Sequence, residues 1–232
     1  MAYDGDLAAA ARHLERALLL DPANLDTFLN AADLTLNLGR ADEAVTLGEY
    51  VVSRDPVNAL GQYRLGVDYV CAGRLDEAIA SLRTALSLGP GRIAAQFVIG
   101  SALLQKGEPA AALTEMQQEA AEVWRLFGLT MIYHALGQAV ESDAALAELI
   151  DKYGKDAAYN IAFVLAYRGE ADRTFEWLDK AVQYKDPGLS QIPTQIQFTN
   201  VYNDPRWLPF LESIGKSPAQ LDAIKFKVTL PK

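Results

Sequence analysis

The sequence predicts an all-α solenoid of repeated helical hairpins, and three observations carry that prediction. Two phrases 34 residues apart nearly duplicate each other, "LGRADEAVTLGEYVVSRDPV" at 38–57 and "AGRLDEAIASLRTALSLGPG" at 72–91. Gly5, Gly39, Gly73 and Gly107 are spaced by 34 residues, and Gly137 and Gly169 follow at 30 and 32. Pro22, Pro56 and Pro90 keep the same period of 34. A fixed period of this length marks a stacked-repeat architecture, in which each unit buries its apolar face only against its neighbours.

Within each unit the residue classes stay in step. Small residues stand seven before the glycines (Ala32, Gly66, Gly100, Thr130, Ala162) and five after them (Ala10, Ala44, Ala78, Ala112, Ser142, Thr174). Apolar residues such as Leu65, Tyr69 and Ala72 recur at helical spacing before Gly73, which predicts a first helix ended by the glycine. A second helix opens on an acidic pair, Asp42–Glu43 or Asp76–Glu77, read as support for its positive end. Leu82, Ala85 and Leu86 form its apolar face, and Pro90 breaks the chain before the next hairpin. Small residues at matched places let the two backbones approach closely.

These residues resemble the tetratricopeptide repeat (TPR), a 34-residue helix–turn–helix unit. Residues 59–92 match it best, through the Leu-Gly and Tyr of "RLGVDYVCAGRLDEAIASLRTALSLGP", then Ala78, Ala85 and Pro90. Residues 25–58 and 93–122 match well, and 123–154 and 155–188 are degenerate in spacing. The resemblance implies a right-handed TPR superhelix with a concave groove lined mainly by first helices. It divides the chain into a half repeat over 1–22, which holds a second helix only, five repeats over 23–188, and a C-terminal capping segment over 189–232.

The two ends depart from the period. "DLAAAARHLERALLL" lacks its partner helix on one side, which predicts upstream sequence and an apolar face through which two copies could pair as a homodimer. In the C-terminal segment, "NDPRWLPFLESIG" reads as a short helix opened by Asp204 and Pro205 and closed at Gly215. "SPAQLDAIKF" reads as another, capped by Ser217 with Pro218 in its first turn. Trp207, Phe210, Leu211 and Leu221 are expected to cover the last repeat. This ending also resembles the C-terminal end of bacterial multidomain regulators, in which TPR repeats follow a winged-helix or nucleotide-cyclase domain; neither effector domain lies in these 232 residues.

Composition narrows the function. Half of the residues are apolar, ample for a core. The 30 acidic and 21 basic residues give a net charge of −9, which argues against direct nucleic-acid binding. The longest apolar run, "IAFVLAY", is far short of the roughly 20 residues of a membrane span. Cys71 is the only cysteine, so no internal disulfide forms. The compartment stays open, with the cytoplasm slightly favoured and the periplasm compatible. Phosphate-loop, dinucleotide, nucleophile-elbow and paired-histidine zinc motifs are absent, so neither enzyme, cofactor nor metal is expected. Cys71 and His134 could form a nucleophile pair, but no third orienting group is evident, and Cys71 reads better as a packed side chain.

The groove offers more. Ten residues before each turn glycine, on the helix face that the family turns inward, stand Leu29, Tyr63, Phe97, Phe127 and Tyr159. Six before come Asp33, Val67, Ser101, Met131 and Phe163, and two or three before come Asn37, Val70, Cys71, Leu104, Gln105, His134 and Tyr167. The expected groove is therefore aromatic in its middle and polar at one end, where Asn30, Asp33 and Asn37 gather with Arg64 as the only nearby base. Aromatic anchors suit peptide binding. The candidate function is a non-enzymatic protein–protein interaction module, the regulatory part of a larger bacterial protein, that holds a protein or peptide partner on this stripe. Inter-repeat packing, or cover by the chain's own C-terminal segment, would equally explain an aromatic stripe. A small-ligand-sensing pocket and a self-assembly module are the alternative functions.

Overall fold

A computed structural model describes residues 6–91 and 94–231. Among them the regular structure is entirely helical. A single helix, α1 (Leu7–Leu20), is followed by five hairpins: α2 (Leu25–Asn37) with α3 (Ala41–Arg54), α4 (Ala59–Cys71) with α5 (Leu75–Leu88), α6 (Ala95–Gln105) with α7 (Pro109–Met116), α8 (Glu122–Ala135) with α9 (Ala139–Tyr153), and α10 (Ala158–Tyr167) with α11 (Ala171–Tyr184). The expected all-α class is met. Gly5, the first glycine of the series, lies outside the described residues.

The periodic glycines act through backbone geometry. Gly39, Gly73, Gly107, Gly137 and Gly169 all have φ between +73° and +77°, a region costly for any residue with a Cβ. Around Gly73 the Arg74 amide donates to the Tyr69 carbonyl at 2.8 Å and the Gly73 amide to Val70 at 3.1 Å, closing the last carbonyls of α4. The acidic pairs sit in the first turns of α3 and α5 but make no side-chain cap. They help only through the helix field. The small helical residues act through space. A Cβ on Gly66 would fall 2.5 Å from Leu82, and one on Gly128 2.3 Å from Met116, so these backbones touch side chains of the neighbouring helix directly.

The irregular spacing has a structural cause. Helix α7 has 8 residues where the other second helices have 14 or 15. The missing turn is bridged by Glu119, a buried acid. Its carboxylate accepts from the Ala121 amide at 3.1 Å, and its carbonyl from Arg125 Nη1 at 2.9 Å. After the full-length α11, Asp186 braces the chain in a similar way, accepting from the amides of Tyr159 at 2.9 Å and Gly188 at 2.8 Å.

The C-terminal segment does more than the expected capping. Two 3₁₀ stretches, Pro187–Thr194 and Ile196–Val201, turn back into the concave face. Phe198 is fully buried there against Tyr159, Phe163 and Trp207, with ring centroids 5.8, 6.2 and 5.3 Å away. Asn200 Nδ2 donates to the carbonyls of Ala166 and Tyr167 at 3.1 and 3.0 Å. The short helices α12 (Trp207–Ser213) and α13 (Pro218–Asp222) follow. Trp207, Phe210 and Leu211 join the core of the last repeat as expected.

Leu221 does not. The chain crosses back to its own beginning, where Leu221 and Phe226 pack in one cluster with Leu7, Ala11, Phe28 and Val51. The Arg40 guanidinium ties the tail down by donating to the carbonyls of Ile224 at 2.8 Å and Phe226 at 3.2 Å. Thus the tail joins the cluster on the apolar face of α1, with the Lys227 amide donating to Glu15 at 3.3 Å, and the large exposed apolar residues of α1 are Leu19 and Leu20 at its end.

Two consequences are measurable. Gly107→Ala meets no atom within 4 Å, so its cost is conformational only, ~1 kcal/mol, with an unchanged slope in urea unfolding. Phe198→Ala removes the anchor of the concave face and is expected to cost about 3–5 kcal/mol. A loss under ~1 kcal/mol in the same titration would mean that residues 187–201 contribute little to the fold.

Candidate functional site

The concave face is divided. Its C-terminal part is filled from within, and the aromatic residues placed there by the sequence are core. Phe127 and Met131 are buried between α6, α8 and α10, Phe127 lying 5.4 Å from Trp124 and 6.3 Å from Phe97. Tyr159 lies beneath Phe198 and Gly188; a Cβ on Gly188 would fall 2.3 Å from its ring. His134 and Tyr167 meet edge to face at 6.1 Å, away from the remaining open volume. Of these five, Phe127, Met131 and Tyr159 are buried, Tyr159 beneath residues 187–201, whereas Tyr167 is half-buried and His134 exposed outside the cavity.

The N-terminal part stays open as a cavity of about 610 Å³ between α2, α4, α6 and the first 3₁₀ stretch. Seven of the expected groove residues line it: Asn30, Asp33, Asn37, Tyr63, Arg64, Phe97 and Phe163. They come together because the 34-residue period returns equivalent positions of successive first helices to one face. Four further residues that matter were not among the expected site: Asp68, Ser101, Cys71 and Trp124. Ser101 and Cys71 stand on the inward positions already identified, so their spacing could have included them. Trp124 stands thirteen before Gly137, the place that the lining residue Ala94 holds before Gly107, outside the inward positions read from the sequence. Ser190, Gln191 and Thr194 close the far wall.

The electrostatics are uneven. Arg64 Nη1 sits 3.1 Å from Asp33 Oδ2, so the guanidinium that lines the wall among the described residues is already paired. Burial raises the Asp33 carboxyl, and Arg64 pulls it back. Asp68 lies deeper, 1% exposed, and its Oδ2 has no hydrogen-bond partner. Burial, reinforced by Asp33 and opposed by Arg64, pushes its carboxyl up to about 8. Ser101 Oγ, on a residue 6% exposed, is also unpartnered. Burial pushes the Cys71 thiol up to about 11, an effect that the neighbouring Thr194 hydroxyl opposes. That leaves little thiolate for the nucleophile pair considered above.

Two family models, both described as tetratricopeptide repeat, match residues 2–61 and 63–125. The chain belongs to the tetratricopeptide-repeat family. TPR proteins are generally non-enzymatic modules for protein–protein interaction. Solved TPR structures agree in fold. A thermophilic TPR protein of Thermus thermophilus is 21% identical, with 76% of this chain and 91% of that one covered at a TM-score of 0.60. A TPR protein of Parabacteroides merdae is 18% identical, with 90% and 93% covered at 0.56. The MamA protein is 22% identical, with 67% and 87% covered at 0.53. No curated protein matches. Among the described residues no group of three or more His, Cys, Asp or Glu side chains could hold a metal ion, and no helix is long and apolar enough to cross a membrane.

The raised Asp68 carboxyl makes the stability of this TPR array depend on pH. The unfolded chain ionises it near 3.8 and the folded chain only near 8. Below the lower value both states hold the proton and Asp68 costs nothing. As pH rises between the two, the unfolded state gives up its proton first, so stability falls, and it levels off above the upper value. Asp68→Asn is therefore expected to match wild type at about pH 4 and to exceed it by a few kcal/mol at about pH 8. Thermal unfolding across that range reads the difference; a gap that does not change with pH would show that the carboxyl ionises normally.

Proposed function

We propose that this chain is a non-enzymatic interaction module, the regulatory part of a larger bacterial protein, that takes a short segment of a partner protein into the N-terminal half of its concave face. The observation that supports this reading is the division of that face. Residues 187–201 already occupy the C-terminal half, anchored by one aromatic side chain, Phe198, and by Asn200 on two carbonyls. That arrangement is how an extended partner would be held, with a ring in an aromatic bed and polar side chains on exposed backbone groups. The adjoining cavity offers the same kinds of surface with no chain segment in it: the rings of Tyr63, Phe97 and Trp124 beside the polar Asn30, Asn37 and Gln191.

The closing wall from Ser190 to Gln195 favours a second reading, in which the cavity senses a small ligand for an effector domain elsewhere in the parent protein. Its volume lies within the roughly 300–1,000 Å³ typical of small-molecule sites. Direct nucleic-acid contact is not part of either reading, in keeping with the net charge of −9. A homodimer through α1 is less favoured, because Leu7 and Ala11 of its apolar face already pack in one cluster with α2, α3 and the tail residues Leu221 and Phe226.

The test compares partners captured by the wild-type chain and by a Tyr63→Ala, Trp124→Ala variant. Both side chains are half-buried on the cavity wall, so the double variant is expected to stay helical by circular dichroism. A purified partner should then bind the variant at least about tenfold more weakly. Equal affinity for both would sink the cavity as the partner site.

A further inference from the structure

We infer that copies of this chain associate with one another, the solvent face of α1 on one copy docking against the solvent face of α9 on another. The α1 face in question lies opposite Leu7 and Ala11, which pack inward. Arg12, His13, Arg16, Leu19 and Leu20 are all exposed, and their spacing of i, i+1, i+4, i+7 and i+8 gathers them in one stripe. The tail extends the stripe's charge. Lys225 and Lys227 are exposed, Phe226 between them packs with Leu7 and Ala11, and the Lys227 amide reaches Glu15 at 3.3 Å.

These cations are open to a partner. Arg16 and Lys225 make no ion pair among the described residues, and Arg12 stands 3.9 Å from Asp6 with both side chains well exposed. Elsewhere along the solenoid Arg74, Lys106, Lys152 and Arg168 are each held by two carboxylates. A chain of net charge −9 thus keeps a positive pole at its N-terminal end. Charge complementarity makes another copy of so acidic a chain a fitting occupant.

Helix α9 offers the complement. Val140, Glu141, Ala144, Ala147, Glu148 and Asp151 are exposed at i, i+1, i+4, i+7, i+8 and i+11, again one stripe. Lys152 holds Glu148 at 2.6 Å, whereas Glu141 and Asp151 make no ion pair among the described residues. Val140, 78% exposed, and Leu19, 77% exposed, are the most exposed large apolar side chains among the described residues. One stands on each stripe. Antiparallel contact matches them throughout. With Leu20 level with Val140, Arg16 lies level with Ala144 and within a turn of Glu141, and Arg12 lies level with Glu148 and within a turn of Asp151. Parallel contact would set the leucines against Asp151. Ala144 and Ala147 let the two helices approach closely. A contact between two different faces closes as a ring of copies or runs on as a chain.

Sedimentation velocity of the whole chain at rising concentration tests this with two double variants, Arg12→Glu with Arg16→Glu and Glu141→Lys with Asp151→Lys. All four side chains are exposed, so both variants are expected to keep the wild-type circular dichroism. Wild type is expected to shift from monomer to larger species. Each variant alone sets like charge against like and should associate at least about tenfold more weakly. An equimolar mixture of the two should recover the association, because the native α1 of one meets the native α9 of the other and the reversed faces match as well. Wild type that stays monomeric throughout would overturn the inference. Association weakened by the α1 variant and not by the α9 variant, with no recovery in the mixture, would also overturn it, since the positive pole would then meet another surface. Monomers that bind phosphatidylglycerol vesicles through Arg12 and Arg16 would assign the pole to an anionic lipid surface instead. The cavity takes no part in these outcomes, so the comparison with the Tyr63→Ala, Trp124→Ala variant decides its binding role separately.

Discussion

Helices of a repeat array hide their apolar faces only by lying close within a hairpin and against the next one, and here closeness is set by residues that lack bulk. Gly66 against Leu82 inside one hairpin, and Gly128 against Met116 of the preceding hairpin, leave no room for a methyl group. Every larger feature follows from that approach. It sets the stacking distance, the stacking returns equivalent residues of the first helices to one face, and the turn of the superhelix makes that face concave. The left-handed glycines serve the same end, because a helix ended by satisfied carbonyls can reverse direction within three residues.

Stacking solves the packing problem everywhere except at the two ends and inside the curve. One stretch of chain, from 187 onward, deals with all three. It fills half of the concave face with Phe198, covers the last hairpin with Trp207, Phe210 and Leu211, and reaches the first helix with Leu221 and Phe226. The two ends of the solenoid are thereby joined through Arg40 and the tail carbonyls. A repeat array normally behaves as a one-dimensional chain of neighbours; here contacts more than 180 residues apart add a non-local constraint.

This explains which parts of the molecule were legible in its sequence. A positive φ and a close helix contact are local demands, met residue by residue, and they leave a period that can be read directly. Short-helix signals such as Asp204–Pro205 and Ser217–Pro218 are local too, and α12 and α13 stand where those residues place them. The path of 187–201 has no such mark: "PGLSQIPTQIQFTNV" shows no periodicity, and its conformation is imposed by the groove it enters. The inward stripe was legible as a stripe, but whether Tyr159 meets a partner or Phe198 depends on a segment 39 residues away. The destination of Leu221 depends on the curvature of the whole superhelix, which no single repeat encodes.

The surviving cavity is where the two influences meet. The repeat supplies its walls at fixed spacing, and the non-repeating segment supplies its lid. Asp68 stands beside the cavity, buried by the repeats themselves with its Oδ2 toward Gly48 of α3. A buried carboxyl of this kind destabilises the fold at neutral pH, whereas an asparagine of nearly the same shape would not. Core positions with no binding role are normally filled by residues that avoid such a cost, as Leu65 and Tyr69 do on either side of it. The carboxyl at Asp68 is thus a departure from packing logic beside the part of the concave face that the described residues leave open.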